Sequence, residues 1–212
     1  MTSNLDLVGQ QALNYLEQKH TARERALPRS RSAIRYCANS IRATHRHEFP
    51  VARQLLDEAG KLLKEMADDL HLHADVFYAG FVQDAQKEFA EAATFLAITR
   101  NQPLPLASEL KIDWAPYLNG LGEAVGELRR YVLDSLRHYD VESSERYLGQ
   151  MDDIYALLTT IDFPDAVTGG LRRTTDSARA ILEKTRGDLT VAVGQAQLQR
   201  SLLALQQELQ QK

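Results

Sequence analysis

Five carboxylates in this chain are spaced so that helices would gather them. Asp84, Glu88 and Glu91 stand at i, i+4 and i+7, directions within about 60° of one another on a helix. Glu123 and Glu127 stand one turn apart. Oxygen ligands of this kind suit Mg2+ or Mn2+, hard ions that retain waters and promote hydrolysis. Spacing alone is weak evidence, because a pair one turn apart is more often a solvated face. Glu142-Ser-Ser-Glu145 repeats the pattern where a surface is expected. Glu88 and Glu91 differ in their surroundings, which are Phe81, Val82, Phe89, Ala90, Ala92, Ala93, Phe95 and Leu96. A carboxylate buried there without a partner would be costly. A di-iron bundle needs two Glu-x-x-His motifs, and only Glu17-Gln-Lys-His20 fits.

Other chemistries find little support. The single cysteine, Cys37, excludes an internal disulfide framework and Cys-rich zinc modules, and its place on an apolar stripe reads as a core thiol. Thr168-Gly169-Gly170-Leu171 lacks the strand and spacing of a phosphate loop. His71-Leu-His73 could ligate metal but diverges on a helix; at a loop edge the pair reads equally as a contact to phosphate or base and as plain surface.

The charge is unevenly placed. Net charge is −4, yet Lys19–Arg53 holds nine basic residues against Glu24 and Glu48, so it stands at +7 and the remainder at −11. Eight of those nine are arginine, the side chain suited to bidentate phosphate contact. Arg31, Arg35, Arg42 and Arg46 share about 60° of one helix face, while Ile34, Cys37 and Ile41 form a separate apolar stripe. Four like charges in a row do not stabilise a helix. They read as a polyanion footprint, or else as a face paired with acids on a neighbouring helix.

The elements that must position these groups are helical nearly throughout. No useful stretch alternates with period two, and 11 Gly and 6 Pro in 212 residues are few for an all-β chain. The expected fold is all-α, one domain over 1–212 made of about seven helices. The first spans 4–47, with a kink or break at Pro28. Others are expected at 51–70, 73–100, 113–138 with Asp113 as N-cap, and 141–161. A sixth should run from Pro164 through a kink at Gly169-Gly170 to Arg186. Gly187 should then precede a last helix at 188–211, where Leu198, Leu202, Leu205 and Leu209 step by 4, 3 and 4 like a coiled-coil seam. Such a seam closes the chain's own bundle or meets another subunit. Neither a signal peptide nor an 18-residue apolar span is present, so the expectation is a soluble cytoplasmic protein with no membrane partner.

Several stretches together resemble the translin family, particularly its shorter prokaryotic members. They are Arg29-Ser-Arg-Ser-Ala-Ile-Arg35, Ser40-Ile-Arg-Ala-Thr-His-Arg-His-Glu-Phe49 and Phe81-Val-Gln-Asp-Ala-Gln-Lys-Glu-Phe-Ala-Glu-Ala92. Tyr117–Arg130, Phe163-Pro-Asp-Ala166, Leu171-Arg-Arg173 and Arg186-Gly-Asp-Leu-Thr190 continue the match in order. The resemblance implies a seven-helix bundle whose copies form a hollow homo-oligomer, typically an octamer, holding RNA or single-stranded DNA. It also implies metal-dependent endoribonuclease activity, as in translin-associated factor X-like members. Glu88 and Glu91 match the catalytic Glu-aromatic-x-Glu-Ala motif, and Glu123 matches a third catalytic acid that is Asp in those members. Glu127 matches the supporting Glu of Gly-Glu-Leu, and His71-x-His73 resembles a stretch used for nucleic-acid contact.

The sequence reading is therefore an RNA-binding shell with Mg2+ (or Mn2+) held by Glu88, Glu91 and Glu123, and nucleic acid held by Arg31, Arg35, Arg42, Arg46, His71 and His73. Its rivals are a translin-like binder that does not cut, an all-α nucleoside triphosphate pyrophosphohydrolase with no need of the arginines, and a scaffold built on the leucine seam.

Overall fold

The computed structural model describes residues 4–210, and within them every regular element is a helix. The order is α1 (Leu5–His45), α2 (Phe49–Leu70), α3 (Ala74–Phe77), α4 (Gly80–Thr99), α5 (Ala107–Leu110), α6 (Trp114–Arg137), α7 (Val141–Thr159), α8 (Asp165–Thr168) and α9 (Leu171–Gln210). Six of these are long and three are single turns. No helix among the described residues is long and apolar enough to cross a membrane.

Helices α4 and α6 form the central pair. On one side α1 and α2 pack against α4, and on the other α7 and α9 pack against α6. The middle of α4 is buried on nearly every face, from Phe89 through Thr99. Phe95 and Leu96 are fully enclosed, and each such side chain contributes about 1.5–3 kcal/mol of burial. One continuous apolar cluster runs from Ala26 on α1 to Leu182 on α9.

Local sequence explains most boundaries. Pro50 falls in the first turn of α2, where its missing N–H is harmless. Tyr139 turns the chain with φ of +61°, and Asp140 then caps α7 by accepting from the Ser143 N–H at 3.0 Å. Gly169 and Gly170 take φ of +61° and +84°, so the expected kink there is a full break between α8 and α9.

Elsewhere tertiary contacts override local signals. Pro28 lies inside α1, which does not break there. An interior proline costs about 3 kcal/mol, but this stretch is fastened on both sides. The Arg29 guanidinium bonds Glu65 and Asp69 of α2, and Ser30 Oγ donates to Phe81 O of α4 at 2.6 Å. Gly187 likewise fails to end a helix, so the expected elements 164–186 and 188–211 become α8 and an uninterrupted α9; Gln211 lies outside the described residues. Buried Thr185 and Leu189 flank that glycine. Arg129 on α6 bonds Thr185 Oγ1 at 3.0 Å and Asp188 at 2.8 Å, bracing the helix across it. The expected helix 73–100 divides at Ala79, whose extended backbone starts α4 afresh. Asp113 occupies the N-cap position of α6, but its side chain makes no capping bond.

Both terminal helices outrun the bundle. Residues 5–18 of α1 are exposed throughout, and so are residues 197–207 of α9. Leu198, Leu202, Leu205 and Leu209 are each more than half exposed. The leucine seam therefore does not close the chain's own core.

Candidate metal centre and nucleic-acid interface

Gly120 decides how the two central helices meet. A Cβ there would lie 2.6 Å from the Lys87 carbonyl oxygen, 2.6 Å from the Ala90 Cβ and 2.9 Å from the Glu91 nitrogen. Only glycine allows this approach of α6 to the α4 backbone. One turn along α6 from Gly120 is Glu123, and the contact brings it to the acids of α4. Ligand oxygens of Glu88, Glu91 and Glu123 all lie within 4.8 Å of one another. Gly122 performs the same service towards α9, where a Cβ would meet Thr174 Cγ2 at 2.4 Å.

Glu88 and Glu91 sit in an environment that opposes their charge. Burial first, then Glu88 and Glu123, push Glu91 up to about 8. Burial and the charge of Glu123 also raise Glu88. Glu91 is only 9% exposed. Convergent carboxylates, two of them raised by burial and by neighbouring acidic charge, are a donor set that a divalent cation would fit. The sequence reading placed Mg2+ or Mn2+ on these residues, whose carboxylate oxygens are donors of the hard type such ions take.

Glu127 has a separate arrangement. It lies 2.5 Å from His45 Nε2, and that hydrogen bond holds its carboxyl below the usual range. His45 is packed against Phe95 and Tyr131, and its Nδ1 is buried without a partner. Asp84, aligned with Glu88 and Glu91 by spacing, is exposed and lines an adjoining groove of about 760 Å³ with Lys87, Asn119, Arg173 and Ser177. Asn119 supports that groove: its amide donates to Thr168 O at 2.8 Å, and it accepts from Thr174 Oγ1 at 2.6 Å.

Three members of the arginine row lie on one exposed face of α1. Arg31, Arg35 and Arg42 are exposed, and among the described residues none has a carboxylate partner. Arg35 and Arg42 contact only Ser32 and Asn39 of their own helix. The fourth, Arg46, follows the helix as its C-cap and is forked onto Glu48 at 3.0 and 2.7 Å. His71 and His73 lie at the turn between α2 and α3. His71 Nδ1 donates to Asp68 O, and His73 stands edge-on to Tyr15 of α1. Cys37 is fully buried, and burial pushes its thiol up, followed by the charges of Glu88 and Glu91.

Sequence reasoning passed over three residues that shape this region: His45, Lys87 and Gly120. Lys87 had a visible signal, being the lone basic residue of α4. Gly120 and the His45–Glu127 pair depend on helix pairings that no local pattern reveals.

No family model matches the chain. Sequence comparison pairs it with the uncharacterized protein MJ0175 of Methanocaldococcus jannaschii, 33% identical over 205 residues, which are 94% of this chain and 89% of that one. Among solved structures it is similar to AfC3PO in its complex with duplex RNA. The TM-score is 0.79 with 33% identity, covering 86% of this chain and 95% of that one. A crystal structure of AfC3PO alone gives the same TM-score at 34% identity, over the same shares of the two chains. This chain belongs to the translin family. A third translin-family structure, apo-NeC3PO, shares the fold alone, with 20% identity and a TM-score of 0.77 over 91% of this chain and 98% of that one.

Proposed function

We propose that this translin-family protein is a cytoplasmic RNA-binding endoribonuclease that depends on Mg2+ or Mn2+ and works as a homo-oligomer, an octamer in its simplest form. The observation that carries the reading is the convergence of Glu88, Glu91 and Glu123 within 4.8 Å, on two helices with no sequence adjacency. The likeness to a structure described as AfC3PO with duplex RNA supports the substrate class. Single-stranded DNA, carrying the same phosphates, is a second ligand of the same kind.

The three carboxylates would hold the metal, with Glu127 oriented beside them by His45. A bound Mg2+ supplies charge neutralisation at phosphate and lowers the pKa of a coordinated water. The chain's own part begins with the arginine row, where Arg31, Arg35 and Arg42 bind phosphates without reading bases. His71 and His73 extend that contact at the α2–α3 turn. A strand would reach the acids through the groove beside Glu123, whose lining combines the small or polar Ala115, Asn119, Gly169 and Ser177 with the cations Lys87 and Arg173.

The deciding experiment is cleavage of end-labelled RNA with Mg2+ or EDTA, by wild type and Glu91→Gln. Cutting that requires both Mg2+ and Glu91 supports the nuclease. RNA bound but uncut in every lane leaves a binding shell, a reading favoured by the existing Lys87–Glu123 ion pair. Hydrolysis of free nucleoside triphosphates in place of RNA would support the pyrophosphohydrolase.

A further inference from the structure

One carboxylate of the cluster is already engaged by a cation of the protein itself. Lys87 Nζ donates to Glu123 Oε1 at 2.7 Å, reaching from the helix that supplies Glu88 and Glu91 to the helix that supplies the third acid. The two side chains are 27% and 36% exposed, so water and ions have access to the pair. Burial by itself would weaken the charge on Lys87, but Glu123, Glu88 and Asp84 more than restore it. The ammonium is firmly charged.

A single positive charge on Glu123 leaves Glu88 and Glu91 facing one another with no ion-pair partner among the described residues. A divalent ion shared by all three acids would satisfy the cluster more completely and would compete with Lys87 for the Glu123 carboxylate. Displacement by the ion moves the lysine aside. Its flexible four-carbon stem permits that, and the open direction is the groove, because Gly120 of α6 closes against the α4 backbone at Lys87 O. In the groove the ammonium shares a wall with exposed Arg173.

We propose that Lys87 is an exchangeable counter-ion, which holds Glu123 until a divalent cation takes that carboxylate and then binds a phosphate oxygen of the substrate in the groove. The inference rests on the metal centre proposed above. Metal and RNA binding would then be coupled through one side chain.

The test uses the full chain as wild type, Lys87→Met, Lys87→Gln and Glu91→Gln. Mn2+ binding is read by electron paramagnetic resonance of the free ion, and affinity for a phosphorothioate RNA is measured with and without Mn2+. Both Lys87 variants should bind Mn2+ roughly tenfold more tightly, since a competing charge beside the ion is gone. Their RNA affinity should fall several-fold in Mn2+ and stay near wild type without it. Unchanged or weaker Mn2+ binding in both variants overturns the proposal. RNA affinity lowered equally with and without Mn2+ also overturns it, since Lys87 would then be a fixed phosphate contact. If Glu91→Gln binds Mn2+ as wild type does, or wild type binds none, the carboxylate centre itself is refuted. Circular dichroism melts of each variant confirm that the fold is retained.

Discussion

His45 and Glu127, 82 residues apart in the chain, meet at 2.5 Å and tie α1 to α6 beside the carboxylate cluster. The histidine ring is 5% exposed and lies 4.7 Å from the Phe95 ring. The bond keeps Glu127 ionised below its ordinary range. A depressed carboxyl contributes stability above its unfolded value, about 4.5, and loses it as pH falls through the lower folded value. His45→Leu should therefore cost about 1–3 kcal/mol at pH 7, the usual penalty for stranding a buried polar partner. Urea melts of both proteins should converge in acid. A constant gap down to pH 3 would mean that lost packing, not the bond, explains the cost.

Glu91 makes the opposite contribution. Its carboxyl is raised to about 8, so the folded state favours the protonated form. That stability is fully present below the unfolded value and is lost as pH rises through about 8. The metal-free protein should weaken between those limits, whereas Glu91→Gln should not share that loss. Metal binding should release a proton near neutral pH, and titration calorimetry in buffers of different ionisation enthalpy measures it directly. A proton count of zero at pH 7 would remove Glu91 from the ligand set.

Gly120→Ala tests the helix contact. The added methyl would lie 2.6 Å from backbone oxygen, which cannot yield as a side chain can. Overpacking of this kind costs about 1–3 kcal/mol, and displacement of α6 would carry Glu123 away from its partners. Thermal melting and RNA cleavage should fall together. By contrast, Gly126→Ala faces only Ile181 Cδ1 at 3.9 Å and should leave both near wild type.

The arginine row gives a graded expectation. Arg31, Arg35 and Arg42, exposed and without carboxylate partners among the described residues, should each lower the salt slope of RNA binding by about 1 when changed to Ala. Arg46→Ala should lower it less, because Glu48 already neutralises that guanidinium. Fluorescence anisotropy between 50 and 200 mM salt separates the two cases. Equal slopes for all four would place the nucleic acid elsewhere.

The seam of α9 is a surface, and its test is assembly. Leu198, Leu202, Leu205 and Leu209 are all exposed, so Leu202→Asp with Leu205→Asp should leave the monomer melt almost unchanged. Sedimentation velocity should show smaller particles for that variant if the seam joins copies. An unaltered sedimentation coefficient would exclude the seam from the oligomer.

The all-helical class was legible because apolar periodicity of about 3.6 runs through long segments, and Pro50 marks a boundary by local chemistry; Gly169-Gly170, expected to kink a helix, separates two. Pro28 and Gly187 misled for one reason: ion pairs and buried neighbours from other helices hold α1 and α9 straight through residues that weaken isolated helices. Glu88 and Glu91 were legible as a pair on one helix. Their meeting with Glu123 was not written in spacing and entered through the family resemblance, since it depends on Gly120 across the α4–α6 contact. Lys87 escaped because adjacent residues on a helix point in different directions, and only the neighbouring helix shows where its stem leads.

Helix α4 is at once the most deeply enclosed element and the bearer of two of the three acids. Its Phe89, Phe95 and Leu96 anchor the interior along the same helix that carries Glu88 and Glu91. Those acids have no loop of their own that could loosen while the remainder stays intact. Heat inactivation and cooperative melting should accordingly share one midpoint, and cold-adapted relatives would have to gain flexibility at the groove's far wall, around Gly169 and Arg173, leaving the carboxylates fixed.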